Sequence, residues 1–481
     1  MGHIIAALDI GTSKTIAMIA QKDYSGKLSV LQSETLASND AIRRGRVYNS
    51  DVISDIISQL LGKLNNNSNV QIEKIYLGIG GQSLHSHLFN VKRKVENGTI
   101  TYQLIDSLKE EALNYNPEFE ENLGIFSSEF YADGEYVSKP RGTEAMEIEA
   151  NFQLIIGNPY LKRSLELIFD KKEIPVVDYF ISPLATAEAV LLPDEKESGC
   201  ALVEFGEGVT YVSIYKNSHL KYLVTVPLGG LAITKDIRSL NVSLKEAEEL
   251  KIKHGSVFSE EVENKSVTMN DEHNPDRKIE LYDLNWIIET RVDEIVKNVW
   301  NMIEKSGYSK DLNAGIIITG GGALLDGLPQ FIYNQTGKEV RLANAKAYIN
   351  QIEKNLPHAF SCVAGLAMLG KENCVKEKVQ RETNLFGEEI QNKKDKKKIE
   401  TKKDKKEEKD TQTQPPQQSS GIFKRFFDRG AEIVDKGAKM VEKGTVIFKD
   451  EDFYDNTRQS NERGGMATQP GNKNIENNTN K

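Results

Sequence analysis

Apolar residues fall into short blocks of strand length up to about residue 380, and then almost stop. The run from His3 to Ile10 is apolar at nearly every position, the pattern of a strand covered on both faces. A second apolar stretch ends at Ala20, a polar turn falls at Asp23 to Gly26, and a further strand begins at Leu28. Later in the chain the same order returns: a buried strand closing at Glu204, apolar residues from Tyr211 to Tyr215, a turn at Asn217 and Ser218, and a strand from Leu220. Ile316 to Ile318 starts a third such strand, closed by Gly320, Gly321 and Gly322 and followed by an apolar stretch through Leu328. Between Gln391 and Ser420 there are ten lysines, six acidic residues and a Gln/Pro/Ser run, which predicts a flexible linker because too little surface can be buried to offset chain entropy. Helical periodicity resumes from Gly421 to about Phe448, and Asp455 to Lys481 is again polar, with disorder expected there.

The two matching blocks carry the chemistry. Asp9-Ile-Gly-Thr-Ser-Lys-Thr15 and Glu204-Phe-Gly-Glu-Gly-Val-Thr210 each place an acid at a strand end, a glycine two positions on, and then backbone amides free to point at an anion. Two such hairpins facing one another would clamp a phosphate chain between two lobes. The glycine triplet at 320–322 would let bare backbone approach a flat ligand.

Composition narrows the classes. The chain has 481 residues, 38% hydrophobic and 28% charged, enough for two or more domains with sizeable cores. A formal net charge of −9 provides no overall attraction to nucleic acid, so no nucleic-acid partner is expected. Cys200, Cys362 and Cys374 lack metal or disulfide spacing and read as structural thiols of a reducing compartment. His85 and His87 alternate along a strand without neighbouring ligands, so no metal site is read there. No export signal and no apolar run of about 18 residues is present, so a chain neither exported nor membrane-spanning is expected.

The three glycine segments resemble the phosphate and adenosine motifs of the actin, sugar kinase and Hsp70 superfamily. Ala41-Ile-Arg-Arg-Gly-Arg-Val47, Leu77-Gly-Ile-Gly-Gly81, Pro183-Leu-Ala-Thr-Ala-Glu-Ala-Val190, Pro227-Leu-Gly-Gly-Leu-Ala-Ile-Thr-Lys-Asp236, Ala247-Glu-Glu-Leu-Lys251 and Pro357-His-Ala-Phe-Ser-Cys-Val-Ala-Gly365 resemble the bacterial division family FtsA, over roughly residues 4 to 372. The resemblance implies an α/β, actin-like two-lobed ATPase fold. Its first lobe would comprise 1–81, 166–197 and 346–375, and its second 198–236 and 309–345. It also implies a self-assembly insert at 82–165 and an FtsZ-binding subdomain at 237–308, then a linker at 376–420, a membrane helix at 421–448 and a tail at 449–481. ATP would be the ligand, with phosphates held by Gly11, Thr12, Ser13, Lys14, Gly206 and Gly208. Asp9 would meet Mg²⁺ through water, since that ion keeps much of its hydration. Gly320, Gly321, Gly322, Glu248 and Lys251 would take the adenosine, and Arg291 with Glu294 the acidic C-terminal peptide of FtsZ.

The expected function is thus an ATP-binding division protein that forms filaments, recruits FtsZ and docks on the cytoplasmic face of the inner membrane at the division site. The lipid contacts would come from Ile422, Phe423, Phe426, Phe427, Ile433 and Val434, which recur near the helical period with lysines and arginines off their stripe. Glycines at 430, 437 and 444 weaken that helix in isolation, so folding on contact is expected. Hydrolysis is expected to be slow or absent: Ser182 stands where a carboxylate usually orients water, and Glu204, Glu207, Val209 and Tyr211 depart from the usual second hairpin. Two rivals share the fold: a small-molecule kinase, and an actin-like scaffold of a pilus or secretion machine.

Overall fold

The computed structural model describes residues 2–260, 265–269, 277–349 and 352–378. The segment 421–448, with all six expected lipid-facing residues and the glycine repeat, lies outside them. Strands β1 (His3–Ile10), β2 (Lys14–Lys22) and β3 (Leu28–Ala37) form an antiparallel meander. Helix α1 (Ser50–Asn67) starts where the Asn49 side chain accepts hydrogen bonds from the amides of Asp51 and Val52, and it buries a face from Ile53 to Leu64. β4 (Ile75–Ile79) then returns parallel to β1.

The chain next leaves this lobe for β5 (His85–Lys94), α2 (Tyr102–Leu113), β6 (Glu121–Ala132), β7 (Glu135–Tyr136) and β8 (Glu147–Gly157). It re-enters through α3 (Tyr160–Lys171), β9 (Val176–Ile181) and α4 (Ser182–Val190). The second hairpin block is β10 (Cys200–Phe205), β11 (Thr210–Lys216) and β12 (His219–Val226). Helices α5 (Gly230–Ile237), α6 (Leu244–His254) and the long α7 (Leu281–Lys305) follow, α6 opening with a reciprocal cap between Ser243 and Glu246. The described chain closes with β13 (Ile316–Thr319), α8 (Leu328–Thr336), β14 (Val340–Leu342), β15 (Lys346–Ile349), β16 (Ile352–Asn355) and α9 (Ser361–Leu369).

Among the described residues there are two large sheets. The first runs β9-β4-β1-β2-β3-β15-β16, and the second β7-β6-β8-β5-β12-β11-β10-β13-β14. The insert is therefore covalently part of the first lobe but hydrogen-bonded into the sheet of the second. The join is the pair His85 and Val224, reinforced by Leu223 N donating to Ser86 Oγ at 2.8 Å and Thr225 Oγ1 donating to Leu84 O at 2.8 Å. A largely buried ion pair, Lys221 Nζ to Glu129 at 2.5 Å, and a contact between Ser127 Oγ and His219 Nδ1 at 3.1 Å extend it.

Core partition refines the expected boundaries. Leu161, Leu165, Ile168 and Phe169 of α3 all pack into the first lobe's core, so an insert ending at 165 would cut that helix; the change of core falls near Gly157. The insert has its own core around Phe152 and Leu154, under α2. Helices α5 to α7 share one core with the inner face of the second sheet, so the span 237–308 is not separately cored. Behind the cleft α4 and α9 cross at small residues, where a methyl group on Gly365 would fall 1.8 Å from Ala185 O.

Candidate functional site

Strand parity places the acids. Along β10, Cys200 and Leu202 face the first lobe's core while Ala201, Val203 and Phe205 face the second core, so Glu204 points toward the first lobe. Tyr211, opposite Glu204 in β11, points the same way. There they meet Asp9, at the end of β1, and the three groups line the floor between the lobes. Asp9 and Glu204 are half-buried as whole residues, but their carboxyl ends are shut in, Glu204 Oε2 having almost no exposed surface. Burial raises the Asp9 carboxyl to about 6, offset in part by a hydrogen bond with the Cys362 thiol. Burial, and then the charge of Asp9, push Glu204 up to about 8. The Thr186 hydroxyl lies beside Glu204, yet neither Thr186 Oγ1 nor Glu204 Oε2 is in a well-aligned hydrogen bond. Ser182 is at this floor too, its Oγ 2.6 Å and Asp9 Oδ1 3.5 Å from where a methyl on Gly78 would stand.

The sequence repeat is a geometric repeat. Gly11 N donates to Lys14 O at 3.0 Å, and Gly206 N donates to Val209 O at 3.0 Å, so both hairpins turn in the same way. They face each other at contact distance: a methyl on Gly208 would lie 2.6 Å from Thr12 Oγ1 and 3.0 Å from the Arg44 Cα. Ser13 faces the Glu207 carboxyl, whose Oε2 is buried without a partner; burial and the nearby Glu248 raise its pKa. Lys251 sits at the same place, with Nζ 2.7 Å from Glu248, 2.8 Å from Thr234 Oγ1 and 3.1 Å from Gly230 O. Glu248 and Lys251 are thus tied to the second hairpin through α5, whose Gly230 N donates to Gly206 O at 3.0 Å.

The triplet at 320–322 divides its work. Gly320 has φ +89° and Gly322 is pressed on Phe205, while Gly321 alone of the three faces open space and could admit a flat ring. Arg291 is on α7, where its Nε donates to Asp236 and its Nη1 to Glu294. An acidic peptide arriving there would have to share an arginine that two carboxylates already hold. The sequence marked Tyr211 as a departure in the second hairpin but not its reach: its hydroxyl crosses from the second lobe to the Gly80–Gly81 turn of the first, 2.6 Å from where a methyl on Gly80 would stand. Cys362, read from sequence only as a structural thiol, and Thr186 were not placed at this floor, since nothing local marks them for it.

The model for the family described as cell division protein FtsA matches residues 201–365, the span holding the second hairpin, the Glu248 and Lys251 helix and the glycine triplet. Cell division protein FtsA of Porphyromonas gingivalis is 33% identical over 333 residues, 68% of this chain and 69% of that protein. The chain belongs to the FtsA family. FtsA of Neisseria meningitidis is 28% identical over 337 residues, covering 68% of this chain and 80% of its own length. Among solved structures, a PilM-PilN type IV pilus biogenesis complex superposes with a TM-score of 0.53 at 14% identity, over 76% of this chain and 97% of that one. At such identity the likeness speaks for the fold alone, the two-lobed actin-like ATPase architecture. As an FtsA homologue, the chain is an actin-like cell division protein.

The floor of this FtsA cleft suits a hydrated divalent cation. Two carboxylates press on one another, and one oxygen of Glu204 lacks a partner. Asp9 and Glu204 are the carboxylates that would hold such an ion, most of whose shell would be water; no cluster of three or more metal-type side chains occurs among the described residues. Such an ion would neutralise charge on the phosphates and on the two acids together. No helix among the described residues is long and apolar enough to cross a membrane.

Proposed function

We propose that this FtsA-family protein binds ATP with Mg²⁺ between its two hairpins, self-assembles through the 82–165 insert, and joins FtsZ to the cytoplasmic face of the inner membrane. Supporting the nucleotide reading is one observation above the rest: two hairpins of the same geometry meet at Thr12 and Gly208, with Glu248 and Lys251 alongside. Thr12, Ser13, Lys14 and Gly208 meet the phosphates, Gly11 and Gly206 close the two turns that present them, and the open face of Gly321 takes the base. Because Ser13 already faces Glu207, phosphates enter by parting that contact, and affinity is modest. Arg291 and Glu294 present the FtsZ site, and Ile422, Phe423, Phe426, Phe427, Ile433 and Val434 form the lipid-facing stripe.

Hydrolysis is slow in this reading, since Ser182 and Tyr211 occupy places where carboxylates would orient water. The test is co-sedimentation of the full chain with anionic vesicles and FtsZ, with and without residues 421–448. Vesicle-dependent recruitment of FtsZ that needs this segment is expected. FtsZ pelleting equally well without it would refute the membrane-anchor role.

A further inference from the structure

Three arginines, Arg43, Arg44 and Arg46, lie in a hairpin of two-residue strands, Ile42–Arg43 paired with Arg46–Val47, at the mouth of the cleft. Two of them are engaged by rings: the Arg43 guanidinium lies 3.6 Å from the centre of Tyr48, and that of Arg46 5.5 Å from the centre of Tyr160. Arg44 is different. Its guanidinium has one hydrogen bond among the described residues, Nη1 to Gln82 Oε1 at the outer limit of 3.5 Å, and no carboxylate holds it there.

The backbone under Arg44 is equally unusual. Arg44 has φ +49° and Gly45 φ +76°, a turn in which both central residues are left-handed. Glycine, asparagine or aspartate fill such a first position with less strain, so arginine there has no local structural reason. The turn is also wedged between both phosphate hairpins. Gly45 N donates to Thr12 Oγ1 at 3.2 Å, and the Arg44 Cα and N lie 3.0 and 3.1 Å from where a methyl on Gly208 would stand.

Charge completes the case. Asp9, Glu204, Glu207 and Glu248 line the cleft, and Lys251 is already paired with Glu248. Lys14 offers one cation from the first hairpin, and Arg44, held only at 3.5 Å by Gln82 and set between both hairpins, offers a second. We propose that Arg44 leaves Gln82 and binds the terminal phosphate of a nucleoside triphosphate, making it a specificity-determining residue for triphosphate over diphosphate. A guanidinium fork suits two oxygens of one phosphate, which a lysine meets only as a point charge. This assignment rests on the nucleotide reading above.

The test is calorimetric titration of the full-length protein with ATP and with ADP, in Mg²⁺, for wild type, Arg44→Gln, Arg44→Lys and Arg44→Gly. Expected for Arg44→Gln is about tenfold weaker ATP binding with ADP binding within about twofold of wild type, and a smaller ATP loss for Arg44→Lys. Arg44→Gly relieves the left-handed backbone, so its nucleotide-free melting temperature should be kept or raised while ATP binding still falls. Equal losses for ATP and ADP, or none, overturn the role of Arg44. A lower melting temperature for Arg44→Gly, with the ATP to ADP ratio unchanged, shows a structural role instead and overturns it too. Wild-type protein that binds neither nucleotide overturns the nucleotide reading itself, and the assignment of Arg44 falls with it.

Discussion

Glu204 carries the clearest consequence of a single side chain. Unfolded, a glutamate ionises near its ordinary 4.5, whereas in the cleft it keeps its proton up to about 8. Between those values the folded protein binds more protons than the unfolded one, so stability falls as pH rises through the window. Without divalent cation, the wild-type melting temperature should therefore drop by a few degrees relative to Glu204→Gln as pH goes from about 5 to 8. Thermal melts of both proteins across that range decide it, and parallel curves would contradict the assignment. Glu207 makes a second test. Two like charges about 4 Å apart repel by roughly 4 kcal/mol at an effective dielectric of 20, and partial exposure reduces this, so Glu207→Gly should tighten ATP binding by about tenfold. An unchanged or weaker dissociation constant counts against it. For the wild type, single-turnover hydrolysis slower than about one per minute is expected, and faster turnover would show that Ser182 and Tyr211 do not disable the site. What sequence could show at this scale is local. An acid at a strand end with glycine two residues on marks Asp9 and Glu204, but the reach of Tyr211 to Gly80 depends on how two lobes close and leaves no local mark.

Helices and strands tell a similar story about reach. The β1-β2 and β10-β11 hairpins were visible as a repeated pattern because period, turn residues and length sit within one short stretch each, and their geometry repeats as well. The seat of α3 was not visible, since its amphipathic stripe says that a face is buried but not against which core. Nor could sequence show that β5 adds to the edge of β12, because edge pairing between distant strands imposes no register on either segment beforehand. At α9, Gly365→Ala would drive a methyl into the carbonyl of Ala185 on α4, which only backbone movement can relieve. A loss of about 2 kcal/mol or more is expected in denaturant titration, and a neutral result would mean that the two helices can part freely. For the segment at 421–448, Phe426→Glu should release the protein from anionic vesicles; undiminished flotation would sink the amphipathic-helix reading.

At the scale of the whole molecule, the nine-stranded sheet changes how the insert relates to the lobes. Lys221→Met would leave Glu129 without its largely buried partner and should loosen that join more than it loosens either lobe. Faster hydrogen exchange confined to β5, β6 and β8 is the expected result, and uniform exchange across the chain would show that the pair does not secure the insert. Because its strands continue the second sheet, the insert is built like an outrigger and is expected to swing with the lobe it is bonded to rather than with the lobe it is threaded from. Four strand spacings carry its far edge about 20 Å beyond β12, so turning the second lobe by about 15° would sweep that edge through about 5 Å. Spin labels on the insert and on each lobe would show the insert-to-first-lobe distance changing with nucleotide while the insert-to-second-lobe distance stays fixed. In a polymer built through that edge, as proposed above, the state of the cleft would be written into the spacing and pitch of the filament, where neighbouring subunits would feel it without touching the nucleotide.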